Sequence, residues 1–294
     1  MAVKDSAQSI VAKLRAAGTA DGPAQTPEGI AHKTTDPLEP PWVPPDSASS
    51  GETVYDTRPL RFRSLTVATV DPAVLEAPAG FHGGFKIRVA RLGGRRREAG
   101  KLVERRYGGR GYTIPHLPQD PELSTFLAYD EGQLVGTVSV RLDSDRGLSA
   151  EDLYPAEIAA LRSAGSTVCE FTRLAVDKTA ASKRVLAGLF HTAYLYASVI
   201  RGCSHAVIEV NPRHVAFYGR ALRFEPIGEE RMNRRVNAPA VLLCAPFSAI
   251  AEGLAKHAGH PDAAGLAKSL FIYGFPPKDE PGVLRRLKEL VAAS

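Results

Sequence analysis

The sequence has no apolar run approaching the roughly 20 residues that a helix needs to cross a bilayer. Its N-terminus also lacks the apolar core of a signal peptide, because Lys4, Asp5, Lys13 and Arg15 interrupt the first residues. From these two absences we expect a cytoplasmic protein without a transmembrane segment.

Cysteine is scarce as well. The chain has three cysteines, Cys169, Cys203 and Cys244, which are far apart in sequence and form no C-x-x-C pair. Their odd number and wide spacing indicate neither a disulfide framework nor a zinc site. We expect each of them to be a small buried apolar residue, and we expect no metal in the protein.

Acidic residues are few in one part of the chain. Between residues 86 and 110 there are ten Lys or Arg against Glu98 and Glu104, although the formal net charge of the whole chain is only +5. Such a stretch favours an acidic partner, either an acidic carrier protein or nucleic acid. No nucleic-acid motif accompanies it, so we expect no nucleic-acid partner, and a solvated helix face is the alternative.

Composition divides the chain into three parts. Residues 1–80 are rich in Ala, Pro, Ser, Thr and Asp and predict a flexible tail, with a short helix at 6–17 and a strand at 61–70. Residues 81–249 contain the alternating and helical apolar patterns of a folded core. Residues 250–294 predict a C-terminal helical extension.

The core is organised around residues 167–224. Their apolar periodicity predicts a strand at 167–177, a helix at 182–200, a strand at 205–210 and a helix at 213–222. Upstream, the pattern predicts a first strand at 85–90, then a helix, and then a hairpin with strands at 126–129 and 134–142. His191 lies off the apolar face of its helix, so we predict that it is on the surface.

This order of elements resembles the second half of the GCN5-related N-acetyltransferase (GNAT) fold. Residues 169–177, Cys-Glu-Phe-Thr-Arg-Leu-Ala-Val-Asp, resemble the central strand of the long-chain N-acyl amino acid synthases, and residues 237–243 resemble the same family. The related acyl-homoserine-lactone synthases have a similar Glu-x-x-Arg. The likeness covers roughly residues 85–247, and Arg223 departs from it where the family pattern has Gly.

The resemblance implies an α/β (α+β) acyltransferase. Its sheet would be mixed and mostly antiparallel, with two central parallel strands that splay apart to admit a pantetheine arm, and with flanking helices. The reaction it implies moves a fatty acyl group from acyl carrier protein to the α-amine of an amino acid and gives an N-acyl amino acid. Backbone amides at a bulge would stabilise the oxyanion.

Two residues are candidates for proton transfer. Glu170 can anchor the ammonium and accept its proton, or it forms a structural ion pair with Arg173 or Arg141. Tyr218 matches the Tyr that protonates the leaving thiolate in many GNAT enzymes, or it is a packed aromatic. Residues 170 and 173 would face opposite sides of a regular strand, so either a bulge redirects one of them or they have different roles.

Other residues are candidates for binding. Arg141 and Arg173 are carried over from the family as substrate-pocket residues, because a guanidinium grips a carboxylate bidentately. Asn211 and His214, which lie where a strand opens onto a helix, are further candidates for substrate binding, and a solvated His214 beside Arg213 is the alternative. Residues expected near the acyl-pantetheine are Leu174, Val176, Lys183 and Arg184. The last two face a phosphate or an acidic carrier, or they are solvated residues at the start of a helix.

Two features of related enzymes, one from the CoA-dependent GNAT enzymes and one from the lactone synthases, are missing from this sequence. The glycine-rich loop that binds the CoA pyrophosphate is not present in residues 177–187, which favours a carrier-bound acyl-phosphopantetheine thioester as co-substrate over acyl-CoA, with no further cofactor. The acidic cluster of the lactone synthases is also absent, which favours a free amino acid as acceptor. The alternatives are an acetyl- or acyl-CoA-dependent GNAT enzyme and a non-catalytic GNAT-like ligand-binding domain.

An acyl chain has to be buried. The apolar helix face at Val185, Leu189, Phe190 and Ala193 can line one side of a tunnel. The C-terminal extension is rich in large apolar residues, and we hypothesise that it closes the far end of that tunnel. Its alternative role is to cover an exposed part of the sheet.

Overall fold

A computed structural model describes residues 53–56, 84–90, 93–108, 123–177, 183–260 and 269–292. The predicted helix at 6–17 and strand at 61–70 lie outside these ranges. The other elements predicted for the core lie within them, apart from a few residues at element ends.

The described part of the chain forms a nine-stranded sheet. Its order is β1-β2-β3-β4-β5-β6-β9-β7, and β8 pairs with β9. The predicted strand at 205–210 is confirmed to the residue, and the predicted hairpin is formed by β3 and β4. The bounds are β1 Thr53–Asp56, β2 Phe85–Val89, β3 Leu123–Asp130, β4 Gln133–Leu142, β5 Val168–Val176, β6 His205–Val210, β7 Glu225–Pro226, β8 Arg231–Asn233 and β9 Ala238–Pro246.

Helices cover both faces of this sheet. Alternate residues of β3 pack in different clusters, Phe126 with the main core and Leu127 on the face that carries the first helix, because successive strand residues point to opposite faces. The α-helices are α1 Gly93–Gly108, α2 Pro155–Ser163, α3 Lys183–Tyr194, α4 Val215–Leu222, α5 Phe247–His257 and α6 Glu280–Ala292. Shorter helical segments are Ser149–Asp152, Pro212–His214 and Phe271–Tyr273, and α3 continues as a π-helix over Leu195–Ile200.

The two central strands are parallel and separate along their length. β5 and β6 pair at Val168–His205, Cys169–Ala206 and Glu170–Val207, and the pairing ends there. β5 stays paired with β4 as far as Val176, and β6 stays paired with β9 as far as Val210. The carboxyl-terminal halves of β5 and β6 therefore diverge, as the resemblance implied.

A bulge interrupts β5 within this diverging half. Thr137 of β4 pairs with Ala175, whereas Ser139, two residues further along β4, pairs with Thr172, three residues earlier in β5. The additional residue is accommodated at Arg173, whose φ of 54° lies in the left-handed region. A bulge of this kind changes which face the following side chains point to.

The C-terminal extension packs against the first described strand. α6 contacts β1, and Arg286 donates a hydrogen bond of 2.9 Å from Nε to the carbonyl of Val54. The sequence patterns did not predict β1, which lies within the first 80 residues and pairs with β2. No helix in the described part of the chain is long and apolar enough to cross a membrane.

Two local predictions are corrected or resolved by the structure. His191 is 2% exposed rather than on the surface, because the C-terminal extension covers its side of α3. Arg223 ends α4 with a φ of 61°, which is the left-handed conformation that glycine adopts most easily. The turn expected after α4 is thus formed by Arg in place of Gly.

Candidate active site

A cavity of about 590 Å³ lies where β5 and β6 diverge. Its walls come from both faces of the sheet, since Glu170 and Glu209 point to one face and Phe171 and Ile208, their neighbours in the strands, point to the other. The cavity therefore passes through the sheet at the gap between the two strands. Seven of the ten predicted site residues line it: Glu170, Arg173, Leu174, Val176, Asn211, His214 and Tyr218.

Glu170 is held at the edge of this gap. Its side chain is 3% exposed, and its Oε2 accepts a hydrogen bond of 2.7 Å from the backbone N–H of Ser149. Burial raises the pKa of the Glu170 carboxyl, the bond from Ser149 opposes this, and the nearby charge of Glu209 raises the pKa further. A carboxyl with a raised pKa is suited to exchange a proton near neutral pH.

Glu209 is a second carboxyl at the site, partly buried, and we did not predict it from the sequence. Its Oε1 accepts a hydrogen bond from Nδ2 of Asn233, and its Oε2 lies 3.4 Å from Nη2 of Arg235. Burial raises the pKa of Glu209, while Asn233 and Arg235 oppose that shift. One signal was available, because Glu209 is the single charged residue in the apolar strand Ala-Val-Ile-Glu-Val.

The carboxyls of Glu170 and Glu209 lie on the same face of the sheet and line the same cavity. Glu170 pairs with Val207 across the parallel strands, and Glu209 follows Val207 by two residues, so both carboxyls point to the same face. Two neighbouring acids that are shielded from water cannot both ionise as readily as they would alone. The pair therefore provides a place for one mobile proton or for a cationic ammonium group.

The raised pKa values predict a pH dependence of stability. A carboxyl whose folded pKa is above its unfolded value binds more protons in the folded state, so its contribution is complete below the unfolded pKa and is lost as pH rises through the folded pKa. We expect Glu170→Gln to raise the melting temperature relative to wild type at pH 8 and to leave it unchanged at pH 4. Thermal denaturation of both proteins across this pH range measures the difference, and a difference that does not vary with pH would contradict the expectation.

Of the two predicted arginines, Arg173 lines the cavity and Arg141 does not. Arg173 lines the cavity because the bulge at its own position directs it there, which explains how Glu170 and Arg173 reach one site in spite of their odd spacing. Arg141 pairs with Glu170 across β4 and β5 but does not line the cavity. Arg235, which bridges Glu209 and Asp152, supplies a second guanidinium that we did not predict from the sequence.

The wall opposite the carboxyls is apolar and aromatic. The ring of Tyr218 packs edge-on against Phe190, with centroids 6.2 Å apart and an interplanar angle of 75°. Leu174 and Val176 of β5 line the cavity and pack against the main core. This wall is suited to an aliphatic chain, and the Tyr218 hydroxyl is one polar group that it offers.

The remaining predicted residues lie at the margin. Asn211 caps the segment Pro212–His214 by accepting a hydrogen bond from the backbone of Arg213, and His214 accepts one of 3.2 Å from the Arg213 side chain. Lys183 and Arg184 are exposed at the start of α3 and do not line the cavity. Nζ of Lys183 lies 5.8 Å from the ring centroid of Tyr273, which belongs to the C-terminal extension.

A mixed sheet whose central parallel strands diverge around a cavity of this kind is the architecture of the GNAT acyltransferases. The family model described as N-acyl amino acid synthase FeeM matches residues 98–246, slightly more than half of the chain. The chain belongs to this N-acyl amino acid synthase family and is an acyltransferase, which confirms the resemblance found in its sequence.

Solved structures resemble the chain over about the same region. FeeM, an N-acyl amino acid synthase from uncultured soil microbes, is 28% identical, with a TM-score of 0.53, over 56% of this chain and 92% of FeeM. A putative N-acetyltransferase from Lactobacillus plantarum is 15% identical, with a TM-score of 0.40, over 55% and 98% of the two chains. The CoA-dependent acyl-homoserine lactone synthase BjaI is 14% identical, with a TM-score of 0.38, over 53% and 76%. No curated protein sequence matches the chain.

Proposed function

We propose that the protein transfers a fatty acyl group from acyl carrier protein to the α-amine of a free amino acid and forms an N-acyl amino acid. The observation that carries this proposal is the cavity through the sheet, with the buried carboxyl of Glu170 and the partly buried carboxyl of Glu209 on one face and an apolar, aromatic wall on the other. The carboxyl side suits a cationic amine, and the apolar side suits an aliphatic chain. Membership of the N-acyl amino acid synthase family supports the same reaction.

In the proposed mechanism the amino acid enters as an ammonium beside Glu170. The Glu170 carboxylate accepts one ammonium proton, and the neutral amine attacks the thioester carbonyl. Backbone amides in the diverging part of β5 stabilise the oxyanion. The tetrahedral intermediate then expels the pantetheine thiolate, which takes a proton from the Tyr218 hydroxyl. The nitrogen loses its second proton, which returns the Tyr218 oxygen to its neutral form, and Glu170 releases the first proton to solvent. The net change is one C–N bond formed and one C–S bond broken, without a metal or a redox step.

The polar residues of the cavity bind and orient the amino acid. Arg173 is placed to bind the α-carboxylate, and its fork geometry gives a bidentate contact. Glu209 holds the second position for the ammonium, next to the Asn233 amide that fixes its orientation. Asn211 and His214 contact the acceptor at the margin of the cavity, and Arg141 acts through its strand partner Glu170.

The donor is proposed to be carrier-bound, because residues 177–187 contain no glycine for a pyrophosphate loop. Exposed basic side chains that can meet an acidic carrier or the pantetheine phosphate are Arg97, Lys101, Arg105, Lys183 and Arg184. This arrangement predicts faster association with a carrier of opposite charge, and the advantage shrinks when salt screens the charges.

Purified protein with an acyl carrier thioester and a panel of amino acids should give products whose mass is that of fatty acid plus amino acid less water. We expect kcat/KM to be higher with the carrier than with acyl-CoA, and to fall with the carrier as salt rises from about 0.05 to 0.5 M. Mass spectrometry identifies the product, and initial rates at both salt concentrations compare the donors.

Two outcomes would contradict different parts of the proposal. If turnover with acyl-CoA equals or exceeds turnover with the carrier thioester, the proposal that the carrier is the donor is wrong, but the proposed amide-forming reaction is not contradicted. Failure of every thioester to give an acylated amino acid, alongside tight binding of the ligands, overturns the reaction itself. The charge-reversed variant Lys183→Glu should lower the rate with the carrier more than the rate with acyl-CoA.

A further inference from the structure

A second, smaller cavity lies behind the first. Its volume is about 20 Å³, and ten of its twelve lining residues have no polar side-chain atom. Phe171 and Phe190 line both cavities, and their ring centroids are 6.2 Å apart. These two rings are therefore the partition between the main cavity and the apolar space behind it.

The far wall of the second cavity is built by residues beyond the family match. Five lining residues follow residue 246, where that match ends: Ile250, Leu254, Leu270, Phe271 and Gly274. The family region thus supplies the entrance side of the small cavity, and the C-terminal extension supplies its closed end.

This closed end is fixed in place by direct contacts. The backbone N–H of Leu270 donates to the carbonyl of Ala221 at 3.0 Å, and the N–H of Phe275 donates to Nδ1 of the buried His191 at 3.0 Å. Phe271 lies so close to α5 that a Cβ at Gly253 would be 2.5 Å from its ring. The wall is packed and anchored to α3, α4 and α5.

We propose that the Phe171 and Phe190 rings, which are in contact, move apart to admit the terminal part of the acyl chain to the second cavity, and that Leu270 and Phe271 limit the length of the chain. Phe171 follows Glu170 in β5 and points to the opposite face, so a chain whose thioester lies beside Glu170 is buried by extending past Phe171. This inference rests on the proposed function and adds the residues that select the donor.

The size of the second cavity predicts how strongly the enzyme selects donors by acyl chain length. A space of about one water molecule accepts a terminal methyl group, and a longer chain has to displace the far wall. Each methylene buried up to that point contributes about fourfold in kcat/KM, and each methylene beyond it removes a comparable factor. Activity should therefore peak sharply at one chain length.

Substitutions at the closed end test the proposal. Leu270→Ala should move the preferred donor to a chain about two or three methylenes longer, because it frees that volume. Ala187→Val, which fills the second cavity from α3, should move the preference to a shorter chain. The matched control is Leu161→Ala, since Leu161 of α2 is also buried but packs in a separate apolar cluster and lines neither cavity. The readout is kcat/KM over a series of thioesters of increasing length.

A probe on the wild-type protein gives a test that needs no substitution. A fatty acyl-pantetheine thioester with a terminal diazirine, illuminated in the complex, should label residues 250–254 and 270–274. Labels confined to the main cavity, or an unchanged chain-length profile in folded Leu270→Ala protein, would overturn the inference. If no thioester is turned over by wild type, the proposed function fails first, whereas turnover with an unaltered profile contradicts the length selection alone.

Discussion

Glu170→Gln is expected to lower kcat by roughly 10²–10⁴-fold, because the amide cannot accept the proton of the attacking ammonium. Folding should be preserved, since the Gln oxygen can still accept the hydrogen bond from Ser149. The wild-type rate should rise with pH as the carboxyl, whose pKa is raised by burial, loses its proton. The variant should lack this rise. Steady-state rates between pH 5 and 9 measure both effects.

The matched control for this substitution is Glu157→Gln. Glu157 is also buried, but it is ion-paired with Arg231 at 2.6 Å and does not line the cavity. We expect wild-type pH dependence from this variant once circular dichroism shows it to be folded. A Glu170→Gln enzyme with wild-type rates across the pH range would remove Glu170 from the mechanism, and Glu209→Gln would then be tested as the residue that handles the proton.

Arg173 combines a substrate contact with an unfavourable backbone conformation, and two substitutions separate these properties. Arg173→Ala and Arg173→Gly both remove the guanidinium, so we expect both to raise KM for the amino acid by about 10–100-fold. Glycine tolerates the left-handed φ of 54°, so Arg173→Gly should be about 1 kcal/mol more stable than Arg173→Ala. Kinetics and denaturant unfolding of the same two proteins measure the two effects independently.

Arg173→Lys is the conservative comparison. It keeps the charge but loses the planar fork, so we expect a KM between those of wild type and Arg173→Gly. If Arg173→Gly keeps the wild-type KM, the α-carboxylate is bound elsewhere, and Arg235 becomes the guanidinium to replace next. If the Arg173→Ala and Arg173→Gly proteins are equally stable, the backbone at the bulge relaxes when the Arg173 side chain is removed.

Local patterns in the sequence determined most of the fold. The strand His205–Val210 is a run of apolar residues that stops at Asn211-Pro212, because proline cannot continue the ladder and the Asn side chain caps the next turn. The hairpin of β3 and β4 follows from alternating strands around a short polar turn. These features depend on neighbours in sequence, so period and turn residues were sufficient to predict them.

The bulge at Arg173 was decided by tertiary structure. The sequence contained the conflict, because Glu and Arg at odd spacing cannot share a face of a regular strand, but it did not contain the solution. The additional residue is absorbed in β5 because β4 and β5 have to remain in register on both sides of it. Register between two strands depends on the whole pair, and no local pattern of β5 specifies it.

The burial of individual side chains and their contact partners also depended on the tertiary structure. A lone Glu in an apolar strand can be paired, solvated or functional, and Glu209 became part of the site because β5 turns away from β6 beside it and Asn233 of β8 reaches it. His191 looked exposed on its own helix, yet the C-terminal extension, more than 80 residues later, covers it. The sequence alone determined the family, the order of the main core elements along the chain and the Glu170–Arg173 motif, since these are encoded by residue type and spacing. The cavity, its second carboxyl and its closed apolar end depended on contacts between distant segments, which only the packed chain brings together.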